Sequence, residues 1–133
     1  MKENSRYKIL LIDDDKFLIE MYSLKFKENS FDVETVFGGQ EALEKIKEND
    51  IFDIVLMDLI MPAMDGFELL EKIRSEKLAE KSAIIILSNQ GQKSDIDRVE
   101  SLSIDGYIIK ASTIPSEVLS KVTDIADKKF GKK

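Results

Sequence analysis

Five polar positions in this chain sit where a short apolar run stops. Asp13 and Asp14 follow Ile9-Leu10-Leu11-Ile12, and Asp58 closes the run that ends Ile54-Val55-Leu56-Met57. Ser88 follows Ile84-Ile85-Ile86-Leu87, and Lys110 follows Tyr107-Ile108-Ile109. Short apolar runs of this kind read as strands buried on both faces, which means a parallel sheet covered by helices. In such sheets ligands bind beyond the carboxyl ends of the strands. Three carboxylates, a hydroxyl and an ammonium are therefore expected at one edge of one sheet. Crowded carboxylates raise one another's pKa unless a cation sits among them. The set asks for a divalent metal and an anionic ligand.

The elements that must carry these groups alternate along the chain. Strands are expected at 7–12, 31–35, 52–57, 83–87 and 107–109. The second alternates apolar with polar, as Phe31-Asp32-Val33-Glu34-Thr35, and so reads as a half-exposed edge. Helices are expected from Lys16 to about Glu28, with Leu18, Met21, Tyr22 and Phe26 on one face, and from Gln40 to Lys47, with Glu41 supporting Lys45. A third follows a cap at Asp65 and carries Phe67, Leu70 and Ile73. The fourth, about 92–102, has the thinnest apolar side, only Ile96, Val99 and Leu102. The last starts at Pro115, with Val118, Val122 and Ile125 facing in. Five β/α units without a repeat or linker make a doubly wound α/β domain.

Composition removes several chemistries. With 133 residues the chain is long enough for one domain with a real core. It has no cysteine and no histidine, so thiolate and imidazole cannot serve as ligand, base or phosphocarrier. A net charge of −6 argues against a nucleic-acid surface. The one basic cluster, Lys128 to Lys133, reads as solvated charge. No run is long enough to span a membrane, and the first residues lack the apolar stretch of a signal peptide.

These residues together resemble the receiver domain of two-component response regulators. The resemblance covers essentially the whole chain. It rests on Ile12-Asp13-Asp14, on Met57-Asp58-Leu59-Ile60-Met61-Pro62-Ala63-Met64-Asp65-Gly66, on Ile86-Leu87-Ser88, and on Asp105-Gly106-Tyr107-Ile108-Ile109-Lys110, in the family's order and spacing. It implies a flavodoxin-like fold with five parallel strands in the order 2-1-3-4-5 and five helices. It also implies that Asp58 accepts a phosphoryl group from a histidine kinase or a histidine phosphotransfer protein. Asp14, Asp58 and the backbone carbonyl of Ile60 would bind Mg²⁺, or Mn²⁺ in its place, with Asp13 acting mostly through a water. Lys110 and Ser88 would hold phosphoryl oxygens, and Ser88 with Tyr107 would form a switch.

Three positions depart from the family pattern. Ala111 follows Lys110 where a proline in a cis peptide is usual, Asn89 follows Ser88 where a small residue is common, and Ile60 is apolar. Ile60 and Asn89 would border phosphoryl access. A haloacid-dehalogenase-like phosphatase using Asp13 and Asp15 is the alternative enzyme, and a binding-only pseudo-receiver the alternative module. A receiver spanning 1–133, with its core at about 6–128 and no output domain, would act in the cytoplasm as a monomer or weak homodimer. It would reach a downstream protein through the face formed by 92–128, with no nucleic-acid or membrane partner.

Overall fold

A computed structural model describes residues 6–48, 51–89, 93–110 and 113–131. Strands and helices alternate as β1 (Lys8–Ile12), α1 (Lys16–Glu28), β2 (Asp32–Val36), α2 (Gly39–Lys47), β3 (Ile54–Met57), α3 (Gly66–Ser75), β4 (Ala83–Ser88), α4 (Lys93–Glu100), β5 (Gly106–Ile109) and α5 (Pro115–Phe130). All strand pairs are parallel, in the order β2-β1-β3-β4-β5. The apolar runs of β1, β3 and β4 are central, and the alternating strand β2 is an edge. Every residue of β3 and β4 is buried, because helices cover both faces.

The two faces carry separate apolar layers. Leu10, Val55, Ile84 and Ile86 meet α2 and α3 through Leu43, Leu70 and Ile73, and Val99 joins from α4. Ile9, Leu11, Ile54 and Ile85 point the other way, toward Ile19, Tyr22 and Phe26 of α1 and Val118, Val122 and Ala126 of α5. The period of two along each strand divides these residues between the layers.

Several boundaries differ from the sequence reading for local reasons. β2 begins at Asp32 because Phe31 still belongs to the end of α1. Its N–H donates to Phe26 O at 3.1 Å, the Ser30 N–H donates to Lys27 O at 3.1 Å, and Ser30 takes a φ of 70°. This is the left-handed closure of a helix, with serine standing where glycine is usual. On α5 the third buried residue, after Val118 and Val122, is Ala126, and Ile125 is only half-buried, lying over Gly106. Glu41 does not support Lys45. It accepts the Phe37 N–H at 3.1 Å, and Lys45 reaches Glu34 of β2 at 3.0 Å.

α4 is held mostly by polar contacts. Val99 is its one buried residue, but Arg98 lies 4.1 Å from the Phe67 ring centre and 3.7 Å from Glu71. Arg74 of α3 donates to the carbonyls of Leu102 and Ser103 just beyond α4, at 2.8 and 2.7 Å. The helix expected to run to 102 ends at Glu100, where Leu102 and Ser103 turn to meet this arginine; the expected start at residue 92 lies outside the described residues.

α3 touches the backbone of the β3 end. Asp65 caps it by accepting the Glu68 N–H at 3.0 Å, and the Gly66 N–H donates to Leu59 O at 2.8 Å. A Cβ on Gly66 would overlap the Asp58 carbonyl oxygen. Glycine is needed here for space. Gly66→Ala is expected to lower stability by about 1–3 kcal/mol through overpacking, read as a lower urea midpoint; an unchanged midpoint would show that the loop yields freely.

Candidate functional site

The carboxyl ends of β1, β3, β4 and β5 meet at one cleft. It has a volume of about 310 Å³ and is walled by Asp13, Asp14, Asp58, Ser88 and Lys110, with Ile60 and Asn89 at its border. A larger groove of about 630 Å³, lined by Ile51, Phe52, Leu78 and Phe130, lies at the amino ends of the strands and is remote from these acids.

Asp13 and Asp58 are both buried, while Asp14 is exposed. One carboxylate oxygen from each lies within 4.8 Å of the others. Asp13 has both oxygens engaged: Oδ1 accepts the Asp15 N–H at 2.9 Å, and Oδ2 lies 2.7 Å from Lys110 Nζ. Asp15 itself caps α1 by accepting the Leu18 N–H at 3.1 Å. Asp58 Oδ1 accepts the Leu59 N–H at 2.8 Å and, less closely, the Ile60 N–H at 3.4 Å. Its Oδ2 is 3.4 Å from Lys110 Nζ, the looser of the two lysine contacts. The backbone donors of Leu59 and Ile60 were not legible in the sequence, since any residue supplies an N–H.

Burial pushes the Asp58 carboxyl above its usual range. The Lys110 charge pulls it down, the Asp13 charge pushes it up, and the Ile60 and Leu59 N–H groups pull it down, with the net shift upward. For Lys110, burial works to lower the pKa. The hydrogen bond to Asp13 and the charges of Asp58 and Asp13 outweigh it, and the ammonium is held above its usual value.

Ser88 is fully buried at the end of β4, and Asn89 is exposed. Ile60 is 55% exposed, an apolar side chain at the mouth of the cleft. Tyr107 pairs with Ile86, two residues before Ser88, so Tyr107 and Ser88 share the sheet face that α4 covers. The described residues contain no cis peptide, and the Lys110–Ala111 bond lies outside them. The acid cluster fits a hard divalent ion such as Mg²⁺. It offers only carboxylate oxygens, and exposed Asp14 leaves a way in. Among the described residues no helix is long and apolar enough to cross a membrane.

Comparison with known proteins gives a consistent result. The family described as the response regulator receiver domain matches residues 9–123. A transcriptional regulatory protein, a CpxR homolog of Haemophilus influenzae, is 39% identical over 97 residues, covering 73% of this chain and 40% of that protein. The transcriptional regulatory protein SrrA of Staphylococcus aureus is 33% identical over 116 residues, 86% of this chain and 45% of that one. Among solved structures, a CheY-like receiver domain protein from Methanospirillum hungatei superposes with a TM-score of 0.82 at 27% identity, over 92% of this chain and 94% of that one. The chain thus spans less than half the length of these curated relatives. Their names do not fit the expectation of a lone receiver with no nucleic-acid connection.

The raised Asp58 pKa has a consequence for the metal-free protein. A carboxyl titrating above its unfolded value favours the fold fully below the usual 3.8, and that contribution is lost as pH rises through the raised folded value. Asp58→Asn is therefore expected to be more stable than the parent near neutral pH, with the difference closing in acid. Denaturant titrations across pH check this, and equal stabilities at neutral pH would contradict it.

Proposed function

The chain belongs to the response regulator receiver family, and from that premise we propose that Asp58 is its phosphoacceptor. Receiver domains take their phosphoryl group from histidine kinases or phosphotransfer proteins. These 133 residues contain no histidine, so the phosphohistidine lies outside this domain. The observation that carries the reading is the unequal use of the two buried acids. Asp13 has both oxygens engaged at 2.7 and 2.9 Å, whereas Asp58 keeps Oδ2 with only a 3.4 Å contact. Asp58 Oδ2 attacks phosphorus as the phosphorus–nitrogen bond of the phosphohistidine breaks. The imidazole keeps the electron pair and takes up a proton.

The surrounding residues stabilise that transfer. Leu59 and Ile60 N–H groups hold Asp58 Oδ1 and so aim Oδ2 at the cleft. Lys110 turns from Asp13 to a phosphoryl oxygen, and Ser88 donates to another. Asp13, Asp14, Asp58 and the Ile60 carbonyl are the groups that would hold Mg²⁺, with Mn²⁺ as substitute. The ion, when bound, neutralises charge on the phosphoryl oxygens. Ile60 and Asn89 border the approach to the phosphoryl group, and Ile60 has no side-chain donor or acceptor with which to order an attacking water.

A haloacid-dehalogenase-like use of Asp13 and Asp15 is disfavoured. Asp15 is committed to capping α1, and Asp13 is paired with Lys110. A binding-only module would not need all of the acids, the hydroxyl and the lysine gathered at one cleft. The domain acts as a signalling element of the cytoplasm, as a monomer or weak homodimer. Its downstream protein docks on the face made by α4, β5 and α5, within 92–128. Ser88, Tyr107 and α4 form the two-state element that phosphorylation biases. Because Arg74 and Arg98 fasten α4, its shift must exchange those polar contacts for others.

Acetyl phosphate with Mg²⁺ should add one phosphoryl group, mapped to Asp58 by mass spectrometry. Asp58→Asn should abolish it, and Lys110→Ala should remain folded but label far more slowly. Label that survives Asp58→Asn and disappears in Asp13→Asn would transfer the chemistry to Asp13. For the switch, beryllofluoride with Mg²⁺ is expected to move NMR resonances of residues 93–109 as well as those at the acids. Shifts confined to the neighbourhood of Asp14 and Asp58 would rule out this route.

A further inference from the structure

Tyr22 stands beside the phosphoryl site but has no part in the chemistry above. α1 turns Ile19, Tyr22 and Phe26 onto the sheet. Of the buried residues in that apolar layer, Tyr22 alone carries a polar side-chain atom. It is 6% exposed, and it shares with Asp13 and Asp58 a small cavity whose other walls include Leu11, Leu56 and Leu87. That cavity, about 10 Å³, is roughly the size of one water. No described residue hydrogen-bonds the Tyr22 hydroxyl. Packing alone does not require the hydroxyl: it meets no protein group and reaches solvent, since among the described residues no buried polar side-chain atom lacks a partner.

Asp13 supplies the reason. Its Oδ1 is held by the Asp15 N–H, but its Oδ2 has Lys110 as its partner at 2.7 Å. On the proposed reading, transfer of a phosphoryl group to Asp58 draws that ammonium away, and a buried carboxylate oxygen that loses a donor is destabilised even where a divalent ion takes one of its two acceptor sites. We propose that Tyr22 is a positioning residue for phosphoryl transfer, its hydroxyl donating across the shared cavity to the Asp13 oxygen that Lys110 releases. Burial raises the pKa of the Tyr22 phenol, and the Lys110 charge lowers it while the Asp13 charge raises it. The hydroxyl is thus within the field of both partners in the exchange and stays protonated, as a donor must. This inference rests on the reading of Asp58 as phosphoacceptor.

Tyr22→Phe tests it, since the variant keeps the ring and removes only the hydroxyl. Three quantities are compared with the parent: the melting temperature, the affinity for Mg²⁺ alone, and the affinity for beryllofluoride at saturating Mg²⁺. Melting temperature should be equal or slightly higher, and Mg²⁺ affinity essentially unchanged. Beryllofluoride affinity should fall about tenfold, the loss of a hydrogen bond to a charged group. The maximal rate of labelling by acetyl phosphate should fall with it. Unchanged beryllofluoride affinity would make Tyr22 a core aromatic and overturn the proposal. A lower melting temperature would also overturn it, because the hydroxyl would then serve the resting fold. A parent protein that binds no beryllofluoride, or is labelled elsewhere than at Asp58, would instead fail the underlying phosphoacceptor reading and this inference with it.

Discussion

One ammonium group makes this arrangement of acids tolerable. Asp13 and Asp58 are both buried at adjacent strand ends, where their charges would repel through a poorly screened medium. Lys110 reaches across from β5 to within 2.7 Å of one and 3.4 Å of the other. The balance is incomplete, because burial still leaves the Asp58 carboxyl above its usual range. A site in that condition favours anything that brings further positive charge or spreads the negative charge over more atoms. A divalent ion would do the first, and the proposed phosphorylation of Asp58, with its cations, the second. On the proposed reading Lys110 is also the group that moves, so the contact that stabilises the resting cleft would be broken when the cleft is used.

The scaffold serves this contact. Lys110 can reach Asp13 only because β5, β4, β3 and β1 are parallel and in register, which puts all their carboxyl ends on one edge. Close packing at Gly66 brings α3 against the Asp58 backbone, and the Asp65 cap starts that helix where the loop after β3 ends. On the far side of the sheet, α1 is preceded by Asp15, whose N–H holds Asp13 Oδ1 and whose carboxylate caps the helix. Each acid is thus positioned by the helix that follows its strand.

The regions around the site differ in how they are held. The sheet and α1, α3 and α5 are fastened by fully buried aliphatic residues, while α4 depends on Val99 and on two arginines reaching to and from α3. Polar contacts at the surface are worth less than buried area and can be exchanged for one another. That difference is the reason the proposed switch is placed at α4.

The alternation of apolar runs with amphipathic stretches was enough to give the fold class, the edge position of β2 and the residues at the ends of the strands. These are properties of periodicity and burial, which a linear sequence carries. The motif after Asp58, together with Asp13-Asp14, Ser88 and Lys110, pointed to the family and to the candidate site. What the sequence could not hold was pairing across the sheet. Nothing in it says that Lys110 lies closer to Asp13 than to Asp58, that Leu59 and Ile60 donate to Asp58, or that Arg74 and Arg98 secure α4. The same is true of Tyr22: at helical spacing it reads as one more core aromatic, because its nearness to Asp13 depends on how α1 lies against the end of β1. Distances between groups far apart in the chain are decided by packing, and packing exists only in the folded molecule.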